Sequence, residues 1–224
     1  MTKTLWKTLF CSLGYLLIAI ACLIQWNSGS TWARFDWFSG GYFALRLLGS
    51  LHSILSSMGA FRSKPVREEW WALDSDPEGP RWVMLLMALD LAVFLDYGHW
   101  QLLPALLRPG LQIAGLSLYA AVMLWQIWTD EYLARYFSRT KTFPVPMNNG
   151  PYRYVRHPRY GAAILGKLAM ALSFGSIIGW VLVIPWAALL LKKIEVEEKH
   201  LRRFFGVSYD SYSRQTAKVL PGIY

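Results

Sequence analysis

Gly150-Pro151-Tyr152-Arg153-Tyr154-Val155-Arg156-His157-Pro158-Arg159-Tyr160-Gly161 holds three Arg, one His, three Tyr and two Pro in twelve residues, with an apolar segment of membrane length on either side. A plain connector between membrane helices needs no such density of cationic, aromatic and imidazole groups. Pro151 and Pro158 bar a regular helix through the loop, because proline fixes φ and lacks a donor. Irregular backbone at membrane depth is tolerated where it lines a protein cavity. Gly161 lets a ligand or a neighbouring helix approach closely. A second block follows on the far side of the next apolar segment: Glu197-Glu198, then Phe205-Gly206, Tyr209 and Tyr212. The two blocks read as halves of one site.

The bulk of the chain sets the environment. Of 224 residues, 54% are hydrophobic and only 17% charged, more apolar than an ordinary soluble domain. Several runs reach the roughly 20 residues that a helix needs to cross a bilayer. The net charge of +9 has a topological explanation, because Lys and Arg collect on the cytoplasmic side of membrane proteins; nucleic acid is not an expected partner. Cys11 and Cys22, both in the first apolar run, form no disulfide framework and no metal cluster, and read as small apolar residues. No metal site is expected.

Working outward, residues 161–191 are 31 mostly apolar residues. As one helix they would be roughly 46 Å long, too long for a single span, so a helical hairpin bent around Phe174 to Ser176 is expected. Its second arm continues into the charged stretch from Lys192 to Phe205. Upstream, helices are expected at 5–25, 40–61, 82–98 and 111–128, with a solvated connector at 62–81 and a basic segment at 129–160. The first run competes with a signal-peptide reading, since Ala19-Ile20-Ala21 resembles a cleavage site; a retained helix is favoured by its length. The 40–61 helix carries Arg46, Ser50, Ser53 and Ser57 on one narrow face, either a packing seam of small residues or a wall of a polar cavity. Asp90 of the third helix is a candidate partner for Arg46. With both termini cytoplasmic, the cytoplasmic segments hold 19 of the 23 Lys and Arg.

The expected fold is therefore all-α: a polytopic integral membrane bundle of about six crossings, the last two a helical hairpin, with a cytoplasmic C-terminal helix and tail. It reads as one domain over 1–224, with four transmembrane helices in 1–128 and a cofactor-binding core in 129–224. Adjacent residues on a helix point about 100° apart, so only one of Glu197 and Glu198 faces a given cavity squarely. The competing reading makes Arg153, Arg156 and Arg159 plain positive-inside residues, Glu197-Glu198 a solvated helix face balanced by Lys193 and Arg202, and Tyr209 and Tyr212 interfacial anchors.

The ordered residues Gly150-Pro151-Tyr152-Arg153-Tyr154-Val155-Arg156-His157-Pro158-x-Tyr160, a hairpin, then Lys193-Ile194-x-x-Glu197-Glu198-x-x-Leu201-x-x-x-Phe205-Gly206-x-x-Tyr209-x-x-Tyr212 and Pro221 closely resemble the isoprenylcysteine carboxyl methyltransferase family. Phospholipid N-methyltransferases share a looser form of the pattern. The resemblance covers about residues 145 to 221. It implies a membrane methyltransferase that uses S-adenosyl-L-methionine, with Tyr154, His157, Pro158, Tyr160, Gly161, Glu197 and Glu198 around the cofactor. Arg156 and Glu197 are the expected catalytic residues, and Arg46, Arg159, Lys193, Tyr209 and Tyr212 the expected substrate contacts. The acceptor would be lipophilic and reach the site from the bilayer: a prenylcysteine-like carboxylate, a lipid amine or a thiol. Three positions depart from the family pattern: Lys193 where Arg is usual, Pro146-Met147-Asn148-Asn149 ahead of Gly150, and Arg159 where a small or apolar residue is usual. Arg159 points to an anionic substrate headgroup. Membrane sterol and enone reductases carry a similar Arg-His-Pro block and use NADPH, which makes them the alternative class.

Overall fold

The computed structural model describes residues 37–57, 79–139 and 146–222. Six α-helices account for most of them: α1 Trp37–Ser57, α2 Gly79–Leu95, α3 Arg108–Arg139, α4 Pro158–Ser173, α5 Ile177–Phe205 and α6 Val207–Gln215. A π-helical turn, Asp96–Trp100, extends α2, and a short 3-10 turn, Gly150–Arg153, precedes α4. The described residues contain two helices long and apolar enough to cross a membrane, α3 and α5. The first apolar run, with Cys11, Cys22 and the signal-peptide reading, lies outside the described residues, as does most of the 62–81 connector.

The hairpin forms where its length required one. The α4 helix ends at Ser173, Phe174 and Gly175 make the turn, and α5 begins at Ile177. Gly175 sits at φ +57°, the left-handed region where a side chain is strained and glycine is not. Ser176 caps α5, its hydroxyl accepting from the Gly179 amide at 3.0 Å, as an N-cap serine does for an orphan donor. Phe174 is buried and centres an aromatic cluster, with Tyr42, Phe94 and Tyr97 rings at 5.1, 5.2 and 5.1 Å, all in edge-on geometry. Edge-to-face pairs of this kind contribute about 0.5–1.5 kcal/mol each beyond area burial. They tie α1 and α2 to the hairpin turn.

Asp96 lies inside this end of the bundle, fully buried. Its carboxylate accepts from the Ser176 hydroxyl at 2.7 Å, the Ile178 amide at 3.4 Å and the Leu102 amide at 3.3 Å. The negative charge thus faces the amides at the start of α5, where the helix dipole favours it.

One expectation is corrected here. The helix expected over 111–128 runs on to Arg139. Its extension is polar but helix-competent, and Glu131 and Arg135 face each other one turn apart at 3.5 Å, so the change at 128 marks polarity and not the helix end. A division of the chain at 128/129 accordingly falls within α3. Buried Asp90 meets Lys167 of α4 in direct contact, and Arg46 of α1, its expected partner, stands within electrostatic reach of Lys167. An embedded acid requires a counter-ion, and which one it meets depends on how the helices cross.

The tail folds back on the loop. Val155 and Ala217 form a parallel bridge. Ala217 accepts from the Arg156 amide at 2.9 Å and Lys218 from the His157 amide at 3.0 Å. Val155 and Val219 are both buried.

Candidate functional site

The two sequence blocks meet at the start of α4. Pro158 occupies the first helical position, where its missing N–H costs nothing, so the proline that ends the loop also starts the helix. The loop is held from α3 as well: the Trp125 indole donates to the Pro158 carbonyl at 3.3 Å, and Arg159 pairs with Asp130 at 3.2 Å. Gly161 has a definite neighbour. A Cβ there would lie 2.9 Å from the Val219 carbonyl oxygen, so the close approach is made by the tail.

Behind the loop, Glu198 is buried on α5 and accepts from a guanidinium and an imidazole. Arg156 Nε donates to its Oε1 at 2.8 Å, and His157 Nε2 stands 3.3 Å from the same oxygen. The rest of the Arg156 guanidinium is engaged by the tail, with Nη1 donating to the Ser213 carbonyl at 2.7 Å and to the Thr216 carbonyl. Arg156 therefore joins three segments: loop, α5 and the α6–tail junction. Charge-assisted bonds of this kind are stronger than neutral ones, and removing one partner of a buried pair costs about 3–5 kcal/mol.

His157 sits between the two carboxylates. Because Glu198 only accepts, the ring nitrogen facing it, Nε2, carries the proton. The other nitrogen, Nδ1, lies 4.0 Å from Glu197 Oε2. Glu198 is buried, whereas the Glu197 side chain is 45% exposed. One glutamate faces in and the other is open to a ligand, the division that their 100° separation on the helix demands.

Among the other expected site residues, Tyr160 packs against His157 with ring centroids 5.8 Å apart. Tyr154 is exposed on the loop. Lys193 lies one turn ahead of Glu197 on α5 and is half-buried. Tyr212 donates to the Tyr152 carbonyl at 2.7 Å, and Tyr209 is buried beside it, centroids 6.0 Å apart. Burial pushes the hydroxyl pKa of both upward, with the Glu198 charge adding to the rise and Arg156 opposing it. Arg46 is not brought to this place: it belongs to the neighbourhood of Lys167, nine residues along α4 from Pro158 and so about 14 Å from it at the helical rise.

Sequence reasoning missed Trp125, Asp130 and the tail carbonyls that fix Arg156. The first two lie on a helix face whose crossing partner no local pattern reveals. The carbonyls belong to backbone that any sequence supplies. A polar cleft of about 680 Å3 also opens nearby, between residues 146–153 and α6, with Arg153 and Tyr212 in its lining. His157 and Glu197 do not line it.

The described fold and site are those of a helical hairpin that buries an Arg–Glu–His cluster beneath a proline loop. Residues 111–208 match the phospholipid methyltransferase family. Protein-S-isoprenylcysteine O-methyltransferase of Dictyostelium discoideum is 34% identical over 85 residues, which cover 36% of this chain and 34% of that relative. The chain thus matches about a third of the relative's length. No solved structure matches. Over this segment the chain is like the isoprenylcysteine carboxyl methyltransferases.

Proposed function

We propose that this chain is a multi-pass membrane methyltransferase that takes its methyl group from S-adenosyl-L-methionine and passes it to a lipophilic acceptor from the bilayer. The observation that carries the reading is the pair of acceptors left open beside the buried cluster: His157 Nδ1 and Glu197 Oε2, 4.0 Å apart. Two hydrogen-bond acceptors, one of them anionic, at that spacing suit a cationic amino group placed between them. The donor set therefore fits an amino-acid-bearing cofactor, with Tyr154, Tyr160, Pro158 and Gly161 around it. The bound cofactor supplies an electrophilic methyl on a sulfonium sulfur.

The remaining work falls to the chain. Glu198 and Arg156 hold the imidazole orientation; Arg156 acts through Glu198 and the tail as a positioning residue. Tyr209 and Tyr212 keep α6 closed over the loop, which excludes water and fixes alignment, the two things an in-line displacement asks of a protein. Arg159, already paired with Asp130, and Lys193 are the cations assigned to an acceptor's anionic group. A carboxylate or thiolate acceptor needs no base, whereas an amine must shed a proton. The concentration of Lys and Arg in the loop and tail supports a cytoplasmic face for this end of the hairpin.

The test is calorimetric titration of S-adenosyl-L-methionine into the detergent-purified chain. Saturable binding is expected, weakened about tenfold or more by Glu197→Gln and by His157→Ala, since loss of one hydrogen bond to a charged group costs about 1.5–3 kcal/mol. Folded wild-type chain that ignores this ligand and binds NADPH would overturn the reading. Turnover of an S-prenylated cysteine against a lipid amine then sorts the acceptors.

A further inference from the structure

The cleft between residues 146–153 and α6 lies outside the His157–Glu197 site, and its chemistry is different. Its lining includes Arg153, Asn148, Asn149, Gln215, Ser208 and Ser211. Among the described residues no carboxylate lines it. Arg153 is exposed, and among the described residues it has no ion-pair or hydrogen-bond partner. The nearest acid on α6, Asp210, faces Arg202 at 3.6 Å instead. One cation amid neutral donors, with no acid present, selects an anion.

The donor arrangement narrows the class. A carboxylate offers two oxygens, which a single guanidinium can satisfy. A tetrahedral oxyanion has further oxygens for the surrounding amides and hydroxyls, and arginine is the side chain whose planar fork meets it bidentately. The volume of about 680 Å3 leaves room for the organic group that such an anion is attached to. We propose that this cleft binds the phosphate group of a small molecule, either a lipid headgroup or a soluble phosphate ester, and that occupancy tightens the adjoining loop of residues 146–157.

The coupling runs through α6. The same helix that supplies Ser208, Ser211 and Gln215 to the cleft places Tyr212 on the Tyr152 carbonyl and presents Ser213 and Thr216 to Arg156. An anion bridging Arg153 and α6 links the loop to α6 a second time, and a ligand that binds only the closed arrangement stabilises it by mass action. The proposal stands apart from the methyltransferase reading, because it concerns binding and closure and not the reaction.

The experiment is hydrogen exchange on the full chain in a phosphate-free maltoside detergent, followed in residues 146–157 and 207–218. One arm adds glycerol 3-phosphate, a second adds phosphatidic acid to the micelles, and a third adds sodium chloride at matched ionic strength. Ligand at ten times its Kd is expected to slow exchange in both segments about tenfold, with no effect of chloride. Protection by both phosphate compounds identifies the phosphate group as sufficient; protection by phosphatidic acid alone identifies a lipid headgroup. Arg153→Gln, an exposed position outside the catalytic cluster, is expected to abolish the protection and leave the unliganded melting temperature unchanged. Ser211→Ala is expected to weaken it. Absence of protection in both phosphate arms, or equal protection in Arg153→Gln, overturns the proposal.

Discussion

Two buried carboxylates sit towards opposite ends of the α4–α5 hairpin, and they are satisfied in different ways. Asp96, at the turn, takes a hydroxyl and two backbone amides, all neutral donors fixed by the fold. Glu198, at the loop, takes a guanidinium and an imidazole, both from the same short motif. The first arrangement is closed: its donors belong to a cap and a turn that exist for local structural reasons. The second leaves the far side of the imidazole and a neighbouring, half-open glutamate unconsumed. Burial of an acid is common to both, so burial alone does not mark a site. What marks one is residual hydrogen-bonding capacity next to the buried group.

The comparison can be broken most severely at Arg156. Its replacement by Ala strands Glu198 and releases the tail, and is expected to destabilise the chain by about 3–5 kcal/mol, the cost of breaking a buried pair from one side. Denaturant melts of the solubilised protein would register this, and cofactor binding should vanish with it. Asp96→Asn is the matching change at the turn. It keeps the volume and one acceptor oxygen, so a loss of about 1–3 kcal/mol is expected from weakened or reversed hydrogen bonds, with cofactor affinity of the folded fraction unchanged. An equal loss of affinity would mean that the turn and the loop are one unit. Glu197→Gln should separate the two properties in the other sense: its half-open side chain predicts stability within about 0.5 kcal/mol of wild type alongside the binding defect.

The smallest expected effect is alkaline. Tyr209 is buried, and burial together with the nearby Glu198 charge raises its pKa above the ordinary value of 10.0. A raised phenol favours the folded state while neutral. The contribution is fully present below the unfolded value and is lost as pH climbs beyond it. Melting temperature should therefore fall as pH is taken above 10.0, and Tyr209→Phe should flatten that fall while changing little at neutral pH. A steeper fall in the variant would refute the assignment.

The hairpin was legible because two independent signals coincide: an apolar run too long for one span, and Gly175-Ser176 inside it. The inward and outward glutamates were legible from helix geometry once the motif had been found. The extent of α3 was not, because Thr129 to Arg139 is polar and a helix that has left an apolar layer looks like a connector. The contacts of Lys167 with Asp90 and of Asp130 with Arg159 were not either, since they join different helices and a crossing register leaves no trace in local sequence. Arg156 was expected to be catalytic. The structure shows how it is used, with Nε on Glu198 and Nη1 on two tail carbonyls.

The parallel bridge between Val155 and Ala217 also bears on biosynthesis. The loop amides of Arg156 and His157 find their acceptors only in Ala217 and Lys218, some sixty positions further along the chain. At a translation rate of about 5–20 residues per second, the loop waits roughly 3 to 12 s between its own synthesis and the arrival of the segment that seats it. Throughout that interval α4 and α5 can form and pack, while Arg156, His157 and Glu198 remain unsealed. Hairpin formation and loop seating are thereby separate events, and a ribosome paused before codon 217 would leave a folded hairpin whose loop is not yet seated.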